Sequence, residues 1–66
     1  MEQQTTVSEL LTPAQLAERW STSLGQLANL RSARRGPNYV KLGSSVRYRL
    51  RDVLDFEESS IVAGAA

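Results

Sequence analysis

The chain contains no cysteine and no histidine. Disulfides and the usual zinc sites are therefore excluded, as are the commonest general base and the thiol nucleophile. In 66 residues these absences matter, because a domain of this size buries only about 60% of the surface its unfolded chain exposes. Small domains often add a disulfide or a metal; this one must rest on a thin packed core. The lack of cysteine fits a cytosolic protein better than a secreted one. There is no charged amino-terminal stretch followed by an apolar one. No apolar run approaches the roughly 20 residues needed to span a membrane. Nor is there a metal-loop pattern, a glycine-rich phosphate cradle or a visible pairing of nucleophile and base. The expectation is a soluble intracellular protein that is not an enzyme and uses no cofactor.

The remaining scarcity is of acids. Between Arg19 and Asp52 there is no Asp or Glu, while Arg31, Arg34, Arg35, Lys41, Arg47, Arg49 and Arg51 all fall there. The formal net charge of +1 conceals this division. Residues 1–22, with Glu2, Glu9, Glu18 and Arg19, carry −2; residues 23–51 carry +7; residues 52–66, with Asp52, Asp55, Glu57 and Glu58, carry −4. One face of the folded chain should be cationic and another anionic.

What is present orders itself along the chain. Residues 1–9, MEQQTTVSE, are polar, lack an apolar period and read as a loose tail. Thr12-Pro13 with Gln15 is a capping-box pattern with proline at the first helical position. Leu16, Ala17 and Trp20 then share a face, and Leu11 is placed to staple onto Leu16. About three residues of turn separate this short helix from a second one. There Ser23 is the candidate cap, with Gln26 three residues later. Leu24, Leu27, Leu30 and the stem of Arg31 form an inward stripe; Gly25, Gln26, Asn29 and Ser32 face the other way. Gly36-Pro37 is expected to stop the helix.

Beyond that stop the period changes from helical to alternating. Val40 and Leu42 alternate with Tyr39 and Lys41; Val46 and Tyr48 alternate with Arg47 and Arg49. The connection Gly43-Ser44-Ser45 closes a hairpin. In the last helix Val53, Leu54 and Phe56 are expected to face inward, with Asp52, Asp55, Glu57 and Glu58 outward. Residues 61–66 read as a second tail, leaving residues 10–60 as one domain. The fold class expected is α+β, a small winged helix-turn-helix ordered helix, helix, hairpin (the wing), helix.

Three readings compete for the basic segment. A solvated face normally mixes signs to limit self-repulsion, and this one does not. Membrane-surface binding needs bulky apolar anchors beside the cations, whereas the apolar stripe here is small and required for the core. Double-stranded DNA suits the order of elements. A second helix with small polar residues outward enters a major groove without steric conflict. Gln26 and Asn29 can each pair with an adenine edge or simply be solvated. Gly25 permits close backbone approach, or is merely a poor helix former, and Ser32 shares their outward side. The helix start at Ser23 offers N–H groups to a phosphate. Arg31, Arg34 and Arg35 at its far end neutralise flanking phosphates or complement the helix dipole. Lys41, Arg47 and Arg49 take the outward strand positions, where cations also blunt a sheet edge. With Ser44 and Ser45 at a small polar tip, the hairpin suits insertion beside or into a minor groove.

These residues carry a family resemblance. LTPAQLAERW in the first helix, SLGQL opening the second, and VKLGSSVRYRLRDVLDF across wing and third helix resemble the small winged helix-turn-helix domains of the phage excisionases. Those domains are related in fold to the DNA-binding head of MerR-type regulators. The likeness covers residues 10–58. The chain departs from it at Ser21, where relatives usually have glycine, at Leu30, where many have an aromatic, and at Leu50, where Ser or Asp often caps the helix.

The resemblance implies DNA binding with the second helix in the major groove and the wing in the adjacent minor groove. It further implies a recombination directionality factor, located in the cytoplasm of a bacterial host and associated with its nucleoid. Several copies would bind repeats in the arm of a phage attachment site, bend the DNA and direct a tyrosine integrase towards excision. A compact repressor or regulator of the Cro-like or MerR-like type is the alternative. The acidic end from Asp52 to Glu58 would allow neighbouring copies to contact head to tail on DNA.

Overall fold

Thr12 opens the first helix as its sequence pattern requires. Its hydroxyl accepts from the Gln15 N–H at 3.1 Å, and the Gln15 side chain accepts from the Thr12 N–H at 2.9 Å. With Pro13 next, where a missing N–H costs nothing, helix α1 runs Pro13–Trp20. Ser23 caps α2, Leu24–Ala33, by accepting from the Gln26 N–H at 3.0 Å. Three residues separate the helices, the tight turn of a helix-turn-helix.

Both helices end in the same way. Ser21 and Arg34 adopt left-handed backbone, φ 54° and 58°. The following N–H groups reach back five residues, Thr22 to the Ala17 carbonyl at 2.8 Å and Arg35 to the Leu30 carbonyl at 2.9 Å. This is the Schellman arrangement, usually built on glycine. The expected stop at Gly36-Pro37 is thus corrected, since α2 ends one residue before Arg34 and the chain has already turned. Gly36 has a different use. A Cβ there would lie 3.1 Å from Leu30 Cβ, so glycine lets the chain return closely over the helix end.

The computed structural model describes residues 9–64. It contains three helices and a three-stranded antiparallel sheet, the arrangement of a small winged helix-turn-helix. The sheet is formed by β1 (Leu10–Leu11), β2 (Val40–Leu42) and β3 (Ser45–Arg49), and α3 (Leu50–Ser59) follows β3 directly. The expected tail at 1–9 lies, up to residue 8, outside the described residues, as do residues 65 and 66. Residues 61–64 are exposed and carry neither helix nor strand. No helix among the described residues is long and apolar enough to cross a membrane.

Strand β1 was not legible as a strand. It pairs with β3, Leu10 opposite Arg49 and Leu11 opposite Tyr48, which makes β3 the middle strand of the order β1-β3-β2. The Glu9 carbonyl continues this edge by accepting from the Leu50 N–H at 2.8 Å.

The hairpin corrects the expected facing of β2. A three-residue tip would set Leu42 against Val46. The turn instead holds two residues, Gly43 and Ser44, so Leu42 opposes Ser45, Lys41 opposes Val46 and Val40 opposes Arg47. A one-residue change of register exchanges the faces of a strand. Tyr39 and Lys41 therefore share the face of Val46 and Tyr48, and Val40 and Leu42 share that of Arg47 and Arg49. Gly43 makes the short turn with φ 65°, a sign favoured in two-residue hairpins.

Each helix and the middle strand contribute to one core: Leu16 and Ala17 from α1, Leu27 from α2, Tyr48 from β3 and Val53 from α3. Leu11, Trp20, Leu30 and Val46 pack around it. Three residues expected inside are not: Leu24 is 56% exposed, Leu42 52% and Leu54 40%. Leu24 is the first residue of α2, a helix whose buried side passes through Leu27 and Leu30. Asp52, expected outward, is buried.

Leu27→Ala should therefore lower the unfolding free energy by about 2–5 kcal/mol, and Leu24→Ala by no more than about 0.5 kcal/mol. Ser21→Gly should raise it by about 0.5–1 kcal/mol, because glycine relieves the left-handed strain but loses more chain entropy. Urea unfolding of the three variants against the parent checks all three values.

Candidate nucleic-acid interface

The outward face of α2 is built from small side chains. Gly25, Ala28, Asn29 and Ser32 recur at helical spacing and are all exposed, as are Gln26 and Ser23. No charged residue stands among them. Ala28 is an addition to the residues singled out by the sequence; as a small neighbour of Asn29 it completes the same surface. The Ser23 hydroxyl is engaged as the helix cap. Gln26 does not return a bond to that cap, so its amide is not tied into a capping box.

The basic residues fall into distinct environments. Arg34, Arg35, Lys41 and Arg51 are exposed, and Arg31 and Arg47 are half-buried. Arg47 turns back on its own strand, donating from Nη1 to the Val46 carbonyl at 2.7 Å. Arg49, the last residue of β3, donates from Nε to Asp52 Oδ2 at 2.7 Å. Arg31 donates from Nη1 to the Tyr48 hydroxyl at 2.6 Å, and its guanidinium carbon lies 5.8 Å from the Tyr39 ring centroid. That pair of contacts joins the far end of α2 to the base of the wing. The wing itself carries Arg47 and Arg49 on one face and Lys41 on the other, with Ser44 at the exposed tip and Ser45 beginning the returning strand.

Tyr48, Tyr39 and Asp52 are thus supports of Arg31 and Arg49 that the sequence did not single out. The signal for Tyr48 was present: a buried tyrosine needs a partner for its hydroxyl, and the cations on α2 were the available donors. The signal for Asp52 was its position three residues after Arg49, in the first turn of a helix whose cap, Arg49, makes no side-chain bond to the backbone.

The acids are not a uniform solvated face. Arg19 Nε and Nη2 donate to the two oxygens of Glu57 at 2.6 and 2.9 Å. Trp20 Nε1 donates to Glu57 Oε2 at 2.6 Å, and its ring sits 5.5 Å from that of Phe56. Glu57 thereby fastens α1 to α3. Its carboxyl is held down to about 2 from an ordinary 4.5, chiefly by the Arg19 hydrogen bond and then by that of Trp20. Asp55 and Glu58 are exposed. Of the acidic stretch expected to meet a neighbouring copy, Asp52 and Glu57 are engaged within the chain.

Comparison with protein-family models finds no match to this chain, and comparison with curated proteins finds no similar sequence.

The depressed Glu57 pKa contributes stability that is complete above pH 4.5 and is lost as the pH falls towards 2. Glu57→Gln should lower the melting temperature at pH 7 and flatten its dependence on pH between those limits. Thermal unfolding monitored by circular dichroism from pH 2 to 7 tests both effects.

Proposed function

We propose that the protein is a sequence-specific, DNA-bending DNA-binding protein that acts as an excisionase beside a phage tyrosine integrase. The single observation that supports this most is the pairing of two surfaces. An uncharged, small-residue face on α2 stands beside a two-stranded wing, with cations at the junction between them. A groove-reading helix must present side chains small enough to enter and polar enough to bond base edges. The residues flanking it must neutralise phosphates without specifying sequence.

In this reading α2 lies in the major groove with Asn29 as the principal base reader. Gly25, Ala28 and Ser32 allow the approach, and Gln26 adds a contact from the flank. Ser23 and the first N–H groups of α2 meet a phosphate at one end, and Arg34 and Arg35 meet phosphates at the other. The tip at Gly43 and Ser44 enters the adjacent minor groove, and Arg47 leaves its carbonyl partner for the DNA backbone. The assignment to excision of a prophage, on repeats in an attachment-site arm, draws on the resemblance of residues 10–58 to excisionases. Any head-to-tail contact between copies would use Asp55 and Glu58.

Affinity for duplex DNA should fall linearly on a log-log plot against salt, with a slope of about −0.9 per neutralised phosphate. Arg47→Ala should weaken binding to all sequences alike. Asn29→Ala should cost about 1–3 kcal/mol at one base position and little elsewhere. Titrations of sequence-varied duplexes at several salt concentrations test these outcomes, and absence of duplex binding would end the reading. In a recombination reaction with the integrase encoded nearby, the protein should stimulate excision and inhibit integration. Occupancy of the site with neither effect would identify a compact repressor instead.

A further inference from the structure

Three of the seven cations in the basic segment converge on one place. Arg31 from α2, Arg34 from the turn after it and Arg49 from the β3–α3 junction line a notch of about 550 Å³, with Asn38 and Tyr39 as neutral walls. Among the described residues no carboxylate lines it. Asp52 borders a second concavity, which shares Gly36, Pro37 and Asn38 with the first.

Two of the three arginines are held by side-chain contacts. Arg31 is held by the hydroxyl of the fully buried Tyr48 and rests near the Tyr39 ring. One of its N–H groups is used there, which leaves the others of a five-donor fork. Arg49 is fixed through Nε by the buried Asp52 carboxylate, leaving its terminal nitrogens. Arg34 is exposed, and its left-handed backbone, φ 58°, sets the direction in which its side chain leaves the chain. Guanidinium forks match phosphate oxygens in geometry, and donors ordered before binding lose less entropy when it occurs.

We propose that this notch is a preformed seat for a single phosphate group, with Arg31, Arg34 and Arg49 as donors and Tyr48 and Asp52 as positioning residues. The seat deepens the DNA reading and rests on it for its source of phosphate, one phosphodiester of the strand that passes between α2 and the wing. Inorganic phosphate shares the same chemistry.

Two arms separate the sources. In the first, each phosphate of a bound duplex is replaced singly by a neutral methylphosphonate, and binding is measured for the parent and for Arg34→Gln. One position per bound copy should cost the parent about tenfold and cost Arg34→Gln little. Tyr48→Phe, which keeps the ring and the net charge, should weaken binding at that position about threefold or more while the salt slope stays unchanged. Asp52→Asn raises the net charge by one, so simple attraction predicts tighter binding and loss of positioning predicts weaker binding. Circular dichroism melts confirm that each variant is folded.

In the second arm, inorganic phosphate is titrated while the arginine Nε–Hε signals are followed by NMR. Duplex binding with no position coupled to Arg34 would overturn the seat and leave the DNA reading standing. Saturable shifts of Arg31 and Arg34 with phosphate, in a protein that binds no duplex, would keep the seat and remove the DNA reading. Absence of duplex binding together with no phosphate-induced shift would overturn both.

Discussion

Tyr48 is the residue on which the fold and its cationic surface both depend. It sits in the middle strand of the sheet, with no exposed surface, where side chains from all three helices meet. Its ring supplies a large share of a core that has few members. Its hydroxyl cannot be left without a partner in such a setting, and Arg31 at the end of α2 provides one. The same contact that satisfies the core therefore fixes the position of α2 relative to the wing. In the proposed DNA complex that relation would determine which two grooves are reached at once.

The separation of charge along the sequence serves stability as well as surface potential. Glu57 receives donors from Arg19 and Trp20 and holds α1 on α3. Asp52, in the first turn of α3, lies where a carboxylate favours the positive end of the helix dipole, and it pairs with Arg49. The acids beyond Arg51 are thus partly structural. The cations from Arg31 to Arg51 are distributed between supports and freely exposed positions, the latter at the end of α2, on β2 and in the first turn of α3.

The parts of this structure that were legible in the sequence are those set by local chemistry. Thr12-Pro13 with Gln15 gave a capping box, Ser23 gave the second cap, and the change of period after Pro37 gave the hairpin. What stayed hidden depended on contacts distant in sequence or on single-residue counts. Two residues of β1 cannot show a period, so Leu10 and Leu11 become a strand only because β3 is beside them. The facing of Val40 and Lys41 turned on whether Ser45 belonged to the turn or to the strand. Arg34 ends α2 in a conformation that sequence rules reserve for glycine, and those rules point to Gly36 instead. The outward surface of α2 was legible except for Ala28. The supports of the arginines were not, because periodicity assigns Tyr48 and Asp52 to a face and does not show which donors their oxygens meet.

No loop separates β3 from α3: Arg49 ends the strand and Leu50 begins the helix. The wing is consequently a continuation of the helix that carries Val53 into the core, with the Arg49–Asp52 pair spanning the corner. An α-helix advances by 3.6 residues per turn, so one inserted residue at this corner would rotate the helix by roughly 100° and withdraw Val53 from its neighbours. The junction leaves the hairpin little freedom to swing on its own. Mechanically it is a lever set rigidly into the body, and a strain placed on the wing is transmitted to the core rather than absorbed at a hinge.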